Sequence, residues 1–189
     1  MKHAAAAATA TLVAHYAPPR LLRHNELVLE AAELLMAGYR RIGCWSETDG
    51  SPRTELFLDE ELVRIGVVFH DAGKIIFREE LDGDGDQHER HGASMLLNWG
   101  LKPKYTEFCD LTYRYREEHD LSLEQWTVGL ADKLWRGERD EDFEERAITA
   151  IVEAATGSIA RFTDWWVALD SLFESIADGG HERLERSRV

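Results

Sequence analysis

A histidine and an aspartate stand side by side at the end of an apolar run, a placement that suits shared metal binding. Residues 67–69 are apolar, and His70-Asp71 and then Ala72-Gly73 follow directly. A neutral imidazole and a carboxylate supply a nitrogen and an oxygen ligand, and small residues beside them let backbone or substrate approach. Because an isolated His-Asp pair is equally typical of a solvated helix end, its meaning depends on other candidate ligands in the chain.

Five further side chains could complete a metal site with this pair: His24, His88, His91, His119 and Asp132. Asp132 is the most informative of them, because it interrupts the apolar segment 128–134 of a predicted helix. A carboxylate beside a buried stretch costs several kcal/mol unless a cation pairs with it. The adjacent Lys133 points about 100° away around the helix, so a metal ion is the better partner for Asp132.

Apolar residues recur at spacings of three and four along most of the chain, which predicts α-helices. The predicted helices cover residues 21 to 38 or 43, 59–69, 88–99, 103–118, 122–136, 140–156 and 158–178, with glycines as breaks. Residues 44–56 have the composition of a loop. Because no useful β-alternation occurs, we expect an all-α chain that forms a single bundle of about seven to eight helices.

The length of 189 residues indicates one domain. Residues 1–20 form an alanine-rich N-terminal lead, which we expect to be a frayed helix or disordered. The domain itself would cover residues 21–178, with the metal-site part in 21–136 and further helices in 140–178. The charged segment 179–189 is expected to fray as a tail.

The charge balance favours small substrates over polymers. The net charge of −14 argues against a nucleic-acid polymer as partner, since such partners require a basic face. A single nucleotide in a metal-filled pocket stays compatible with it. No apolar stretch approaches the ~20 residues that span a bilayer, and Cys44 and Cys109 form neither a disulfide framework nor a CxxC motif. We therefore expect a cytoplasmic protein without membrane contact, and homo-oligomer formation stays open.

The order of the candidate ligands resembles that of a known family. His24, His70-Asp71 and Asp132 have the order and approximate spacing of the HD superfamily of metal-dependent phosphohydrolases, and HDAGK and HERHGASML are similar to its HDxGK and HxxxGAxxL runs. The resemblance covers about residues 21–136 and implies an all-helical HD domain. Its two-metal members imply the ligand set His24, His70, Asp71, His88, His119 and Asp132. In that alignment His88 is the ligand, with His91 as the alternative.

The activity implied by the resemblance is hydrolysis of a small nucleotide or another phosphoester. Imidazoles and carboxylates suit one or two ions of Mn, Fe, Co, Ni or Zn. Asp71 would bridge two ions about 3.5–4 Å apart, and a water whose pKa the ions lower would attack phosphorus. Lys74 would neutralise charge on the transferring phosphoryl group, so Asp71 and Lys74 are the expected catalytic residues. Arg23, Arg114 and Arg116 are candidates for binding a second phosphate.

Three other functions stay open on the same residues. An HD-type di-iron oxygenase would use the same ligands and hold a polyol or phosphonate with the lysine of HDxGK. A CRISPR-type HD nuclease resembles the same order, although the net charge of −14 disfavours a strand-tracking groove. A catalytically silent regulatory HD module would not need Asp132 within an apolar helix. The single-metal nucleotidases of the superfamily resemble HDxxE, and here Lys74 stands in place of that acid.

Overall fold

The computed structural model describes residues 3–44, 58–83, 85–116, 120–156 and 162–188. Within these ranges no residue lies in a β-strand, and eight helices have eight or more residues, which confirms the expected all-α class. Of the expected loop 44–56, all but its first residue lies outside the described ranges. None of the helices in the described part of the chain has the length and apolar character needed to cross a membrane.

Ten α-helices and two 3₁₀ turns make up the described fold. In chain order the helices are α1 (His3–Ala14), α2 (Pro19–Cys44), α3 (Glu60–Phe69), α4 (Gln87–Asn98), α5 (Pro103–Thr106), α6 (Leu111–Arg116), α7 (Leu123–Leu134), α8 (Glu141–Thr156), α9 (Phe162–Asp178) and α10 (Gly180–Ser187). The 3₁₀ turns Ala72–Ile75 and Arg78–Leu81 connect α3 to α4. The chain therefore makes two tight turns directly after His70-Asp71.

The local sequence determines both ends of α3. At the N-terminus the Asp59 side chain accepts a hydrogen bond from the Leu62 N–H at 3.0 Å, which satisfies one of the free amides of the first turn. At the other end the helix stops at Phe69, and His70 is its C-cap residue. The apolar run therefore ends at the His-Asp pair in the structure, as the sequence predicts.

Helix α3 lies between two apolar cores because both of its faces are buried. Val63 and Val67 belong to the larger core, which also contains residues of α2, α7, α8 and α9. Val68 and Phe69 belong to the smaller core, to which α1 and α4 contribute. Since α2 and α7 belong to one core and α4 to the other, the C-terminal end of α3 is the place where elements from both cores meet.

The expected helix 103–118 is interrupted in the structure. Helix α5 ends at Thr106, and α6 begins at Leu111 after a turn. The turn contains Phe108 and Cys109, which are 2% and 1% exposed and which belong to the larger and the smaller core, respectively. A break in the helix lets two consecutive side chains enter different cores, which periodicity within one continuous helix does not predict.

Gly38 does not end the first long helix, because α2 continues through it to Cys44. A Cβ atom at this position would lie 2.3 Å from the Cδ2 atom of Leu172 in α9. Glycine therefore serves close packing between α2 and α9 and does not act as a break here. The last of the expected long helices begins at Phe162, and residues 157–161 lie outside the described ranges.

Both ends of the described chain pack against the bundle, which corrects the expected fraying or disorder. In α1, Leu12 is fully buried in the smaller core beside α3. In α10, Arg183 is 4% exposed and its side chain reaches α7 and α9. The expected fraying is therefore wrong for α1 and α10, whereas the division into 1–20, 21–178 and 179–189 stays a prediction.

Candidate metal centre

A cavity of about 440 Å³ opens beside the C-terminal end of α3. Its walls include residues of α2, α4 and α7 and of the turn that follows α3. Candidate ligands on these walls are His24, His70, Asp71, His88 and Asp132. Lys74 lines the same cavity. Residues that are far apart in the chain are therefore gathered around one space.

Helix α7 holds Asp132 at the edge of its buried face. The helix begins with a capping box in which Ser122 and Gln125 exchange side chain and backbone hydrogen bonds. Leu130 and Leu134 on either side of Asp132 are fully buried, whereas the Asp132 side chain is 41% exposed. The apolar face of α7 thus anchors the helix while the carboxylate turns toward the cavity.

His24, His70 and Asp132 form the tightest cluster, since one ligand atom from each lies within 4.8 Å of the others. The His24 Nε2 atom lies 3.2 Å from His70 Nε2 and 3.3 Å from Asp132 Oδ1. The His70 Nε2 atom lies 3.4 Å from the same Asp132 oxygen. Ligands about 2.1 Å from one ion lie about 3.0–3.4 Å apart. The three atoms therefore fit the spacing of ligands to a shared transition-metal ion.

The two carboxylate oxygens of Asp71 face different imidazoles. The Oδ2 atom lies 3.3 Å from His24 Nε2 and 3.7 Å from His70 Nε2. The Oδ1 atom lies 3.3 Å from His88 Nε2. Lys74 Nζ also donates a hydrogen bond to Oδ2 at 2.6 Å. The Asp71 carboxylate therefore presents one oxygen to His24 and His70 and the other oxygen to His88.

Oxygen acceptors behind two of the imidazoles orient the rings toward the cavity. The Nδ1 atom of His70 lies 2.7 Å from the Val67 carbonyl oxygen, and the Nδ1 atom of His88 lies 2.5 Å from Glu80 Oε2. Because a carbonyl or carboxylate oxygen only accepts, each Nδ1 carries the hydrogen. The Nε2 atoms of both rings are thereby directed at Asp71 and its neighbours, as in metal sites whose ligands are held by a second layer of acceptors.

Glu80 was not identified by reasoning from the sequence. Glu79 and Glu80 are adjacent acids in a polar stretch, and nothing in the local pattern separates them. The 3₁₀ turn Arg78–Leu81 buries Glu80, which is 8% exposed, and leaves Glu79 exposed. The difference between the two acids arises only from the tertiary fold.

Gly73 allows His88 to lie beside Asp71. A Cβ atom at Gly73 would lie 2.1 Å from the backbone oxygen of His88, so any side chain there would push α4 away. A Cβ atom at Gly92, one turn further along α4, would lie 3.3 Å from the backbone nitrogen of Gly73. The glycines of HDAGK and HERHGASML therefore have a direct packing role at the site.

The charged groups around the cluster shift the pKa values of its carboxylates and imidazoles. Burial acts to raise the pKa of Asp71, but the surrounding imidazoles and the Lys74 ammonium outweigh it and hold that pKa well below its usual range. In the same way, burial acts to raise the pKa of Asp132, but the neighbouring His24 and His70 imidazoles outweigh it and lower that pKa. Burial lowers the pKa of His24, but the two carboxylates raise it to about 9. Both carboxylates are thus ionised and offer negative charge to a cation.

Several residues predicted for the site do not lie in this cavity. The ring of His91 is exposed and its Nδ1 donates to the Gln87 carbonyl oxygen at 2.9 Å, so His88 is the histidine that reaches Asp71. Arg23 contacts Glu26 and the backbone oxygen of Arg186, and Arg114 lies 3.9 Å from Glu107. His119 and the side chain of Arg116 lie outside the described residues. Their predicted roles stay predictions.

Other basic residues, which sequence reasoning did not single out, line the cavity: Arg20, Lys133 and Arg136. Each of them has an acidic partner. Arg20 pairs with Asp82, Arg136 with Glu138, and Lys133 with Asp140 at 2.9 Å. These three cations lie in α2, in α7 and just beyond the C-terminal end of α7, and they line the cavity together with Lys74.

The all-helical fold carries a cluster of imidazoles and carboxylates of the kind that can hold a divalent metal ion. The family model described as HD domain matches residues 11–137, a span that includes all of the candidate ligands. The chain therefore belongs to the HD domain family, whose members bind divalent metals and are generally hydrolases. Comparison with curated proteins and with solved structures gives no match.

Proposed function

We propose that this protein is a metal-dependent phosphohydrolase that acts on a small phosphoester, with a nucleotide as the favoured substrate class. The observation that carries the proposal is the placement of Asp71, whose two oxygens face separate imidazoles inside a cavity. Membership of the HD domain family supports metal binding and hydrolytic chemistry in general. What we propose beyond family membership is the phosphoester substrate, the number of ions and their identity.

The proposed site would hold two ions. His24, His70 and Asp132 would hold the first together with Asp71 Oδ2, and His88 and Asp71 Oδ1 would hold the second, with His119 as the further ligand that the resemblance implies. This set of nitrogen and oxygen donors suits Mn, Fe, Co, Ni or Zn. Such ions would supply Lewis acidity and lower the pKa of a coordinated water.

Lys74 would stabilise negative charge on a phosphoryl group. Its side chain is 20% exposed, lines the cavity and donates to Asp71 Oδ2 at 2.6 Å. An ammonium group has three N–H donors, so Lys74 can bond to Asp71 and to a substrate oxygen at the same time. In a partly buried setting this fixed charge stabilises developing negative charge more than it would in water.

The walls of the cavity suit a substrate of nucleotide size. Its volume of about 440 Å³ lies within the range of about 300–1,000 Å³ that is typical of small-molecule sites. Tyr115 is half-buried on the cavity wall and would supply aromatic surface against which a base can pack. Lys133 and Arg136 supply positive charge for phosphate oxygens. The net charge of −14 supports a small substrate and weighs against a polymer.

The test of this proposal begins with elemental mass spectrometry on protein purified without chelator or nickel affinity. We expect two ions of Mn, Co, Ni or Zn per chain, or their uptake on reconstitution. The loaded protein is then assayed for phosphate release from a panel of nucleoside phosphates and an aryl phosphate. Two iron ions per chain with oxygen consumption on a polyol or phosphonate, and no phosphate release, would establish the oxygenase instead. Absence of binding after reconstitution would overturn both enzymatic functions.

A matched pair of histidine variants tests the assignment of the second ion. We expect His88→Ala to lower the affinity for one of the two ions by at least about a hundredfold, because its Nε2 atom faces Asp71. His91→Ala serves as control, since it removes the same group from an exposed position in the same helix. Metal titration with a competing chelator measures both variants. Equal losses, or a larger loss in His91→Ala, would contradict the assignment.

A further inference from the structure

We propose that Glu80 is a positioning residue that holds the His88 ring in the tautomer and orientation needed to bind the second ion. The inference rests on the metal site of the proposed function and adds a residue to it. Glu80 lies in the second 3₁₀ turn and is 8% exposed. Its Oε2 atom lies 2.5 Å from His88 Nδ1, on the side of the ring away from Asp71.

Three hydrogen bonds fix the Glu80 carboxylate itself. Its Oε2 atom accepts from the backbone N–H of His88 at 2.9 Å as well as from the ring. Its Oε1 atom accepts from the backbone N–H of Gln87 at 3.1 Å. Glu80 thereby satisfies free amides at the start of α4, where the side chain of the N-cap residue Asp86 makes no capping hydrogen bond to the helix backbone. The Glu80 carboxylate thus accepts hydrogen bonds from both the backbone and the ring of His88.

The chemistry of this contact determines which ring nitrogen is available. An ionised carboxylate has no hydrogen to donate, so His88 Nδ1 must carry the hydrogen in this contact. The Nε2 lone pair is then free to face a cation beside Asp71 Oδ1, which lies 3.3 Å away. A ring fixed in this manner also loses less conformational freedom when it binds an ion.

The backbone passes close to the Glu80 carboxylate at Gly85. A Cβ atom at Gly85 would lie 2.4 Å from Glu80 Oε1, so the glycine allows the chain to pass close to the carboxylate. Gly73 approaches the His88 backbone oxygen in a similar way. Glu80 is therefore enclosed between the turn that carries it and the helix that carries His88.

The decisive variant is Glu80→Gln, because an amide cannot replace all of these contacts. A glutamine has one acceptor oxygen and one NH₂ donor, so its NH₂ group must face either the Gln87 amide or the His88 ring. Facing the ring, it would donate to Nδ1 and move the ring hydrogen to Nε2, the nitrogen that binds the ion. We expect an affinity loss of about 10–100-fold for the second ion and an unchanged first ion.

Glu79→Gln is the matched control, since it makes the same charge change at the adjacent exposed residue. Affinities for zinc are measured by titration against a competing chelator, with thermal unfolding of the metal-free proteins in parallel. In the His88→Ala background, Glu80→Gln should cause no further loss of zinc affinity, because the ring it positions is gone. If Glu80→Gln and Glu79→Gln bind both zinc ions with equal affinity, Glu80 acts only as a helix cap and the inference is overturned.

A measurement on the unaltered protein covers the case in which Glu80→Gln does not fold. Nitrogen-15 NMR of the zinc-loaded protein identifies the hydrogen-bearing nitrogen of His88. Hydrogen on Nδ1 and zinc on Nε2 is the expected result, and the opposite tautomer, or a chain that binds only one zinc ion, would overturn the inference. These readouts do not involve hydrolysis, so failure to cleave phosphoesters would count against the proposed function alone.

Discussion

Substitution of Asp71 by asparagine is expected to lower the rate of phosphoester hydrolysis by about a thousandfold or more, which corresponds to about 4 kcal/mol of transition-state stabilisation. Metal content should fall with it. The helical fold should persist, since asparagine has nearly the same shape as aspartate and the site lies at the end of α3 rather than within an apolar core.

The expected loss of rate is large because the Asp71 carboxylate contacts several groups of the site. Its oxygens lie within 3.3 Å of His24 and His88 and within 2.6 Å of Lys74. Asparagine keeps one acceptor oxygen but loses the charge, and its NH₂ group repels a cation on the other side. One of the two proposed ions would therefore lose its Asp71 ligand, and the other would keep only a neutral amide oxygen. The Lys74 ammonium would lose its carboxylate partner in a partly buried place.

Asp86→Asn provides the control for this substitution. Asp86 makes an exposed contact with Arg90 near the start of α4, so it undergoes the same chemical change without contact to the cluster. Elemental mass spectrometry and phosphate release on the best substrate of the panel are measured for both proteins. Unchanged metal content in Asp71→Asn would contradict the assignment of the entire site, whereas lost activity in Asp86→Asn would indicate general damage to the protein.

The candidate ligands could be found in the sequence because their placement depends on local pattern. His70-Asp71 follows an apolar run, and a helix buried on both faces has to end where its apolar residues end. Asp132 stands out because a carboxylate within an apolar helix requires a cationic partner. In the structure these residues do line one cavity together with His24 and His88. Their roles as ligands stay predictions that the variants above test.

The residues that support the ligands could not be found in this way. Glu80 differs from Glu79 only through the 3₁₀ turn that buries it. Lys133 lies next to Asp132 in sequence but reaches Asp140 across a turn, and it lines the cavity that Arg23 does not reach. Such contacts depend on where one element ends and on which neighbour it meets, and neither follows from helical periodicity.

The C-terminal segment also differs from what its composition predicts, and the difference depends on the buried side chain of Arg183. Composition alone predicts a fraying tail, because residues 180–187 are mostly polar. In the structure Arg183 is 4% exposed, and its guanidinium donates to the backbone oxygens of Trp135 at 2.8 Å, Leu134 at 3.1 Å and Ile176. These oxygens belong to the final turns of α7 and α9, where a cation is favoured by the helix dipole.

We expect Arg183→Met to lower the free energy of unfolding by about 3–5 kcal/mol. Methionine keeps much of the apolar stem but removes the Arg183 donors from the Trp135 and Ile176 oxygens, and each buried oxygen that loses its donor costs about 1–3 kcal/mol. The Leu134 oxygen still accepts from the Gly137 N–H. Because Leu134 and Trp135 follow directly after the turn that carries Asp132, the loss should also weaken the first ion more than the second. Urea unfolding followed by circular dichroism, and metal titration of the folded variant, measure the two effects.

Arg188→Met is the control, because it removes the same charge from an exposed position. The difference between the two variants therefore measures the effect of burial. The Arg188 side chain is 65% exposed and pairs with Glu185 one turn earlier, so its loss should change the free energy of unfolding by about 0.5 kcal/mol or less. If Arg183→Met unfolds at the same urea concentration as Arg188→Met, α10 is not required for the stability of the bundle. If it is destabilised as expected, residues beyond the matched span 11–137 stabilise the helix that presents Asp132, and the metal centre depends on a segment that carries none of its candidate ligands.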